Sequence, residues 1–161
     1  MTMSVATASD SSTTSDVRSH VLGNLQVPEE QCFVFSGGLL GLPACTRFAL
    51  LPAERSHFYW LQSLDCDSLT FLLVDPFHVV EEFYVDIPEG DLGPLQADQT
   101  SQVGVLAIVT LPRNPGEPPT VNLQGLLALN FAKRLGRQII IQDSSYGLHW
   151  ALDLQRLNRA S

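Results

Sequence analysis

The chain has 161 residues, 45% of them hydrophobic and 16% charged, with a formal net charge of −8. This length and balance predict one globular domain with a core of its own and argue against an intrinsically disordered chain. The acidity argues against a phosphate-backbone binder, whose affinity comes from clustered Lys and Arg.

Residues 1–21 are rich in Ser, Thr and Asp, too poor in apolar area to offset the entropy of ordering, and are expected to be a disordered tail. A single domain is expected over 22–155, followed by a short tail at 156–161. Within it, short runs rich in Val, Ile, Phe and Tyr are set apart by Gly, Pro and Asp. They predict strands at 32–35, 48–51, 58–62, 70–75, 82–87, 104–111, 120–124, 138–142 and 148–154. In 82–87, Glu82, Tyr84 and Asp86 alternate with Phe83, Val85 and Ile87, the pattern of a half-buried strand. Phe71–Val74 and Val105–Val109 are apolar on both faces, which places them centrally. Leu148, Trp150, Leu152 and Leu154 also recur at period two, so the C-terminus is expected to be a strand. Only 90–98, interrupted by Pro94, and 126–135 suit a helix. The fold class expected is mainly β: a small antiparallel β-barrel-like domain with one or two short helices.

Chemistry-bearing residues are dispersed. Cys32, Cys45 and Cys66 share no metal-ligand spacing and suit small buried side chains in a reducing compartment. His20, His57, His78 and His149 lie far apart, none of them with Cys, Asp or Glu at a ligand spacing. Asp65-x-Asp67 is not followed by the glycine and further carboxylates of a calcium loop. Glu81 and Glu82 point to opposite faces if they lie on a strand. The run 37–41 (GGLLG) lacks the Lys or helix that a phosphate loop needs. No catalytic residue, metal ligand or cofactor is therefore assigned.

The charge is segregated along the chain. From 56 to 112 there is no Lys or Arg, whereas Asp65, Asp67, Asp75, Glu81, Glu82, Asp86, Glu89, Asp91 and Asp98 all fall there. Such a segment could steer a basic partner or could be solvated loop. Asn122, Gln124 and Gln138 are polar residues inside strand-like runs, suited to backbone bonding at strand crossings if buried and to a partner's edge strand if exposed. Asp75, Glu81, Glu82, Asp86, Asn122, Gln124 and Gln138 are the candidate partner-binding residues.

An ordered set of segments carries a resemblance. GLLGLP at 38–43 and FAL at 48–50 precede FYWLQS at 58–63 and LTFLLVDP at 69–76. VLAIVT at 105–110, TVNLQ at 120–124, Asn130, GRQII at 136–140 and Tyr146 complete it. In this set the chain resembles the FliW family of flagellar assembly factors from about Phe33 to Leu152. It departs at Leu42, where the family commonly has Phe, in the GLLAL run at 125–129, where a Pro is common, and after Tyr146, where a basic residue often follows.

The resemblance implies a non-enzymatic protein, without cofactor, that is expected to be monomeric when free. It would bind the C-terminal region of cytoplasmic flagellin and, when free, bind and antagonise the dimeric translational repressor CsrA. Partner exchange would then couple flagellin synthesis to export. No direct contact with nucleic acid or membrane is expected. No run approaches the ~20 apolar residues of a spanning helix, and the N-terminus lacks the features of a secretory signal, so a cytoplasmic location is expected. The alternatives are a chaperone-like flagellin-binding module without CsrA activity and a small β-barrel ligand carrier or enzyme.

Overall fold

A computed structural model describes residues 14–142 and 145–160, of which 158–160 by their backbone alone. Two strands, β1 (Thr14–Ser19) and β2 (Gly23–Pro28), pair antiparallel with Thr14 opposite Pro28 and Ser19 opposite Gly23. The domain therefore begins earlier than expected. Residues 14–19, which composition places in the tail, form β1 instead, and Val17 and Val27 are buried against Ala49 on the outside of the main sheet. The Ser19 hydroxyl accepts from the backbone of Val21 and Leu22 to close the turn. The remainder of the expected tail, residues 1–13, lies outside the described residues.

Seven strands close into a ring: β3 (Cys32–Phe35), β4 (Arg47–Pro52), β5 (Phe58–Ser63), β6 (Thr70–Val74), β7 (Gly104–Thr110), β8 (Thr120–Asn130) and β9 (Leu135–Ile140). Neighbours from β3 to β8 pair antiparallel in chain order, and β9 pairs antiparallel with β8 and parallel with β3, which shuts the barrel. The two-residue β10 (Trp150–Ala151) adds to the start of β8. The helices are α1 (Pro76–Val79) and α2 (Leu154–Ala160). The fold is mainly β, as the residue pattern predicts.

Alternation along the wall makes two cores. Phe35, Phe48, Leu50, Leu61, Leu73, Leu106, Leu127 and Leu129 point inward and fill the barrel. Val74, Val105, Ala107, Val109, Val121 and Ala128 face outward, where Val79, Val80, Phe83, Ile87, Leu95 and Leu157 cover them. The cover comes from the crossover between β6 and β7 and from α2, so the strands read as apolar on both faces are indeed central.

Four expected elements differ, and the first is 90–98, which is turn with a single 3-10 turn at Glu89–Asp91 rather than helix. Residues 82–87 run without ladder pairing. Phe83 and Ile87 are buried and Tyr84 and Asp86 exposed as the alternation requires, but Glu82 holds a left-handed φ of 55° that breaks the approach to any neighbouring strand. The run 126–135 is strand and turn, not helix: β8 continues to Asn130 because Leu127 and Leu129 fill the barrel while Leu126 and Ala128 fill the outer core. The C-terminus is strand only at β10. Asp153 then accepts from the backbone of Gln155 and Arg156 and starts α2, whose Leu157 is buried, so residues 156–160 are not a tail.

Polar residues hold the barrel's corners. Gln62, fully buried, donates from its amide to the carbonyl of Ser63 at 3.0 Å and accepts from the Thr70 hydroxyl. The Ser63 hydroxyl accepts from Asp65 and Cys66 N–H at 3.0 and 2.9 Å. Together they pin the β5–β6 turn. Buried Asn130 donates to the Leu95 carbonyl at 2.8 Å and accepts from Lys133 N–H at 3.2 Å, tying the end of β8 to the crossover.

Candidate partner-binding surface

Residues 83–86 and Pro88, in the unpaired stretch, form one wall of a groove of ≈ 430 Å³. Its floor is Leu123 and Leu126 of β8, and its far wall is Ile140, Ile141 and Tyr146. Phe83 packs on Tyr146, and Tyr146 on Trp150, with ring centroids 5.0 and 5.7 Å apart. Tyr84 stands 72% exposed on the outer side of the groove wall. Lining groups are apolar or neutral except for Asp86.

The floor exists because β8 bulges. Leu106 pairs with Leu127, whereas Ile108 pairs with Asn122, so residues 123–126 lie opposite Ala107 alone. Asn122 shapes this bulge: its Oδ1 accepts from Gln124 N–H at 3.0 Å and Gly125 N–H at 2.8 Å. Gln138 spans it from β9, donating to the Gly125 carbonyl at 3.3 Å and accepting from Leu40 N–H at 2.9 Å. Gln124 is half-buried, with its carbonyl taken by Ile141 N–H. Asn122 and Gln138 thus bond the chain's own backbone, the first of the two roles their sequence context allowed.

The acidic segment is base-free in sequence but not in space. Arg137 reaches Asp91 at 2.6 Å, Arg47 reaches Asp65 at 3.7 Å and Arg156 lies 3.9 Å from Glu81. Asp65 also accepts from the backbone of Arg47 and Thr46, and the Arg47 N–H above all holds its carboxyl below the usual range. Asp75 caps α1, accepting from Phe77 N–H at 3.0 Å. Glu82, Asp86 and Glu89 are exposed and have no cationic partner among the described residues. Of the acids proposed for a partner, Asp75 and Glu81 therefore serve or touch the fold, and Glu82 and Asp86 are left facing solvent beside the groove.

One constellation forms only in the fold. His57, Asp75 and His78 bring one ligand atom each within 4.8 Å of one another. The 75–78 spacing was a legible signal, since residues three apart share a helix face. His57 joins them only through pairing: Phe58 lies opposite Val74, which sets His57 across from Asp75 at the end of the β5–β6 ladder. The thiols stay apart. Burial pushes the Cys32 thiol up, and the Ser68 hydroxyl draws the exposed Cys66 thiol down.

The family model described as FliW protein matches residues 16–152. The chain belongs to the FliW family. A flagellar assembly factor FliW of Natranaerobius thermophilus is 32% identical over 125 residues, 77% of this chain and 83% of that protein. One from Bacillus licheniformis is 35% identical over 125 residues, covering 77% and 87%. A crystal structure of the flagellar assembly factor FliW superposes with a TM-score of 0.77 at 28% identity, covering 85% of this chain and 96% of that one. Membership makes the protein a flagellar assembly factor by family, and the barrel is the FliW barrel. Among the described residues no helix is long and apolar enough to cross a membrane.

Proposed function

We propose that this protein is a cytoplasmic, non-enzymatic partner-switching factor that binds the C-terminal region of flagellin. When free of flagellin it binds and antagonises the CsrA dimer. The observation that supports this most is the groove with exposed Asp86 in its lining, on a stretch flanked in sequence by exposed Glu82 and Glu89, acids without an internal counter-ion among the described residues. An RNA-binding repressor carries basic surface, and an acid-edged groove draws such a protein in by long-range attraction. The apolar floor of Leu123 and Leu126 offers the contact area that charge alone does not supply.

A small-molecule role has less to support it. Among the described residues the groove gathers one carboxylate, Asp86, with Tyr84 and Tyr146 and no histidine, cysteine or lysine, so no paired acid and base converge in it. The test is capture of partners by the tagged full chain from lysate of a flagellated bacterium. Recovery of both flagellin and CsrA is expected. Flagellin alone would leave the chaperone-like alternative, and recovery of neither would overturn the proposal.

A further inference from the structure

The cluster of His57, Asp75 and His78 lies outside the lining of the groove. We propose that it is a binding site for one borderline divalent transition-metal ion, of which zinc is the type. Two imidazoles and one carboxylate suit such an ion, whereas magnesium and calcium prefer all-oxygen shells.

Two backbone hydrogen bonds link the three residues. Asp75 N–H donates to the His57 carbonyl at 3.0 Å, closing the β5–β6 ladder, and His78 N–H donates to the Asp75 carbonyl at 3.1 Å, opening α1. The Asp75 carboxylate is already oriented. Its Oδ1 accepts from Phe77 N–H at 3.0 Å, and its Oδ2 lies 3.6 Å from His78 Nε2. One oxygen thus caps the helix while the other faces the histidines. The two imidazoles stack with centroids 3.6 Å apart and planes 18° from parallel.

Tetrahedral coordination at ~2.1 Å sets ligand atoms about 3.4 Å apart. The present spacing of up to 4.8 Å requires a closure of about 1.4 Å, within the reach of a ring rotation at half-exposed His78. The charge around α1 is mixed. Exposed Glu82, without a cationic partner among the described residues, lies just past α1, while Arg156 pairs with Glu81 at 3.9 Å and donates to the Val79 carbonyl. Arg55, the nearest base in sequence, directs a guanidinium nitrogen to the Leu154 carbonyl at 3.4 Å. His78 and Asp75 retain 40% and 30% exposure, which leaves a coordination position for water or an outside ligand. An ion here would cross-link the start of β5 to α1, where the crossover that carries the groove wall leaves the barrel.

The test is calorimetric titration of the untagged full chain with Zn²⁺ at neutral pH, with Mg²⁺ as the control. One Zn²⁺ per chain is expected, with no stoichiometric Mg²⁺ and a higher melting temperature with zinc. His57→Asn tolerates the left-handed φ of 73° at that position, and Asp75→Asn keeps a helix cap. Each of these, and His78→Ala, is expected to weaken zinc at least ~10-fold, the scale on which even outer-shell partners matter. In the wild type, zinc must shift the ring resonances of His57 and His78 together, a readout that holds even where a variant folds poorly. Absence of stoichiometric zinc, or unchanged affinity in the His57→Asn/His78→Ala double variant, overturns the proposal.

Discussion

Asn122 and Gln138 hold the two sides of one peptide residue, Gly125. The Asn122 carbonyl oxygen takes the Gly125 N–H at 2.8 Å, and the Gln138 amide gives a proton to the Gly125 carbonyl at 3.3 Å. A side chain at 125 would crowd both, since its Cβ would sit 3.2 Å from each amide nitrogen. The polar residues of the TVNLQ and GRQ runs therefore build the bulge, and the bulge presents Leu123 and Leu126 to the groove.

Asn122→Ala is expected to destabilise the domain by about 1–2 kcal/mol, because two backbone donors in a half-buried bulge lose their acceptor. Equilibrium urea unfolding measures this. Any loss of partner affinity should track the loss of the bulge and be matched by Gly125→Val, which leaves the Asn122 side chain intact.

Asn130→Leu removes the donor to the buried Leu95 carbonyl and the acceptor for Lys133 N–H. A cost of about 1–3 kcal/mol is expected from the orphaned groups. Hydrogen exchange should rise first in the 92–97 turn. Equal exchange there in both proteins would show that the crossover is held by its apolar contacts alone.

Asp65 makes stability depend on pH. Its folded pKa is depressed, so the stability it contributes is present above the unfolded carboxylate pKa and is lost as pH falls through the folded value. Asp65→Asn should flatten the acid limb of the stability–pH curve and leave the neutral-to-basic limb parallel to wild type. Thermal melts across the acid range measure it, and an unchanged acid limb contradicts the role given to Arg47 and Thr46.

Salt should slow association with CsrA more than association with flagellin, because steering by Glu82, Asp86 and Glu89 is screened within ~8–10 Å at physiological ionic strength. Single reversals should matter little, as exposed pairs are worth roughly 0.2–1 kcal/mol each. The triple reversal to Lys should lower the association rate severalfold. Stopped-flow rates at low and high salt decide it.

Much of the barrel was legible because its strands announce themselves by period and by β-branched or aromatic runs. What failed did so for definable reasons. Residues 126–130 lost their period-two signal because both faces of β8 are buried, and an apolar run without period reads as helix or strand alike. Residues 82–87 kept the period without a partner strand, since alternation reports burial and not pairing. β1 was hidden by its Ser, Thr and Asp, with Val17 its one buried apolar side chain. The acidic middle was legible as composition, but the arginines that neutralise Asp65, Glu81 and Asp91 come from distant strands and α2. Of the His57–Asp75–His78 cluster the 75–78 spacing is visible in the sequence, but His57 joins through strand register, which no local spacing records.

The central claim is that flagellin and CsrA exclude one another on this protein. The direct measurement is release of labelled CsrA from its preformed complex with the full chain as the C-terminal region of flagellin is titrated in. The account predicts complete, saturable release at about one flagellin per chain. A stable ternary complex, with CsrA retained at saturating flagellin, would contradict it.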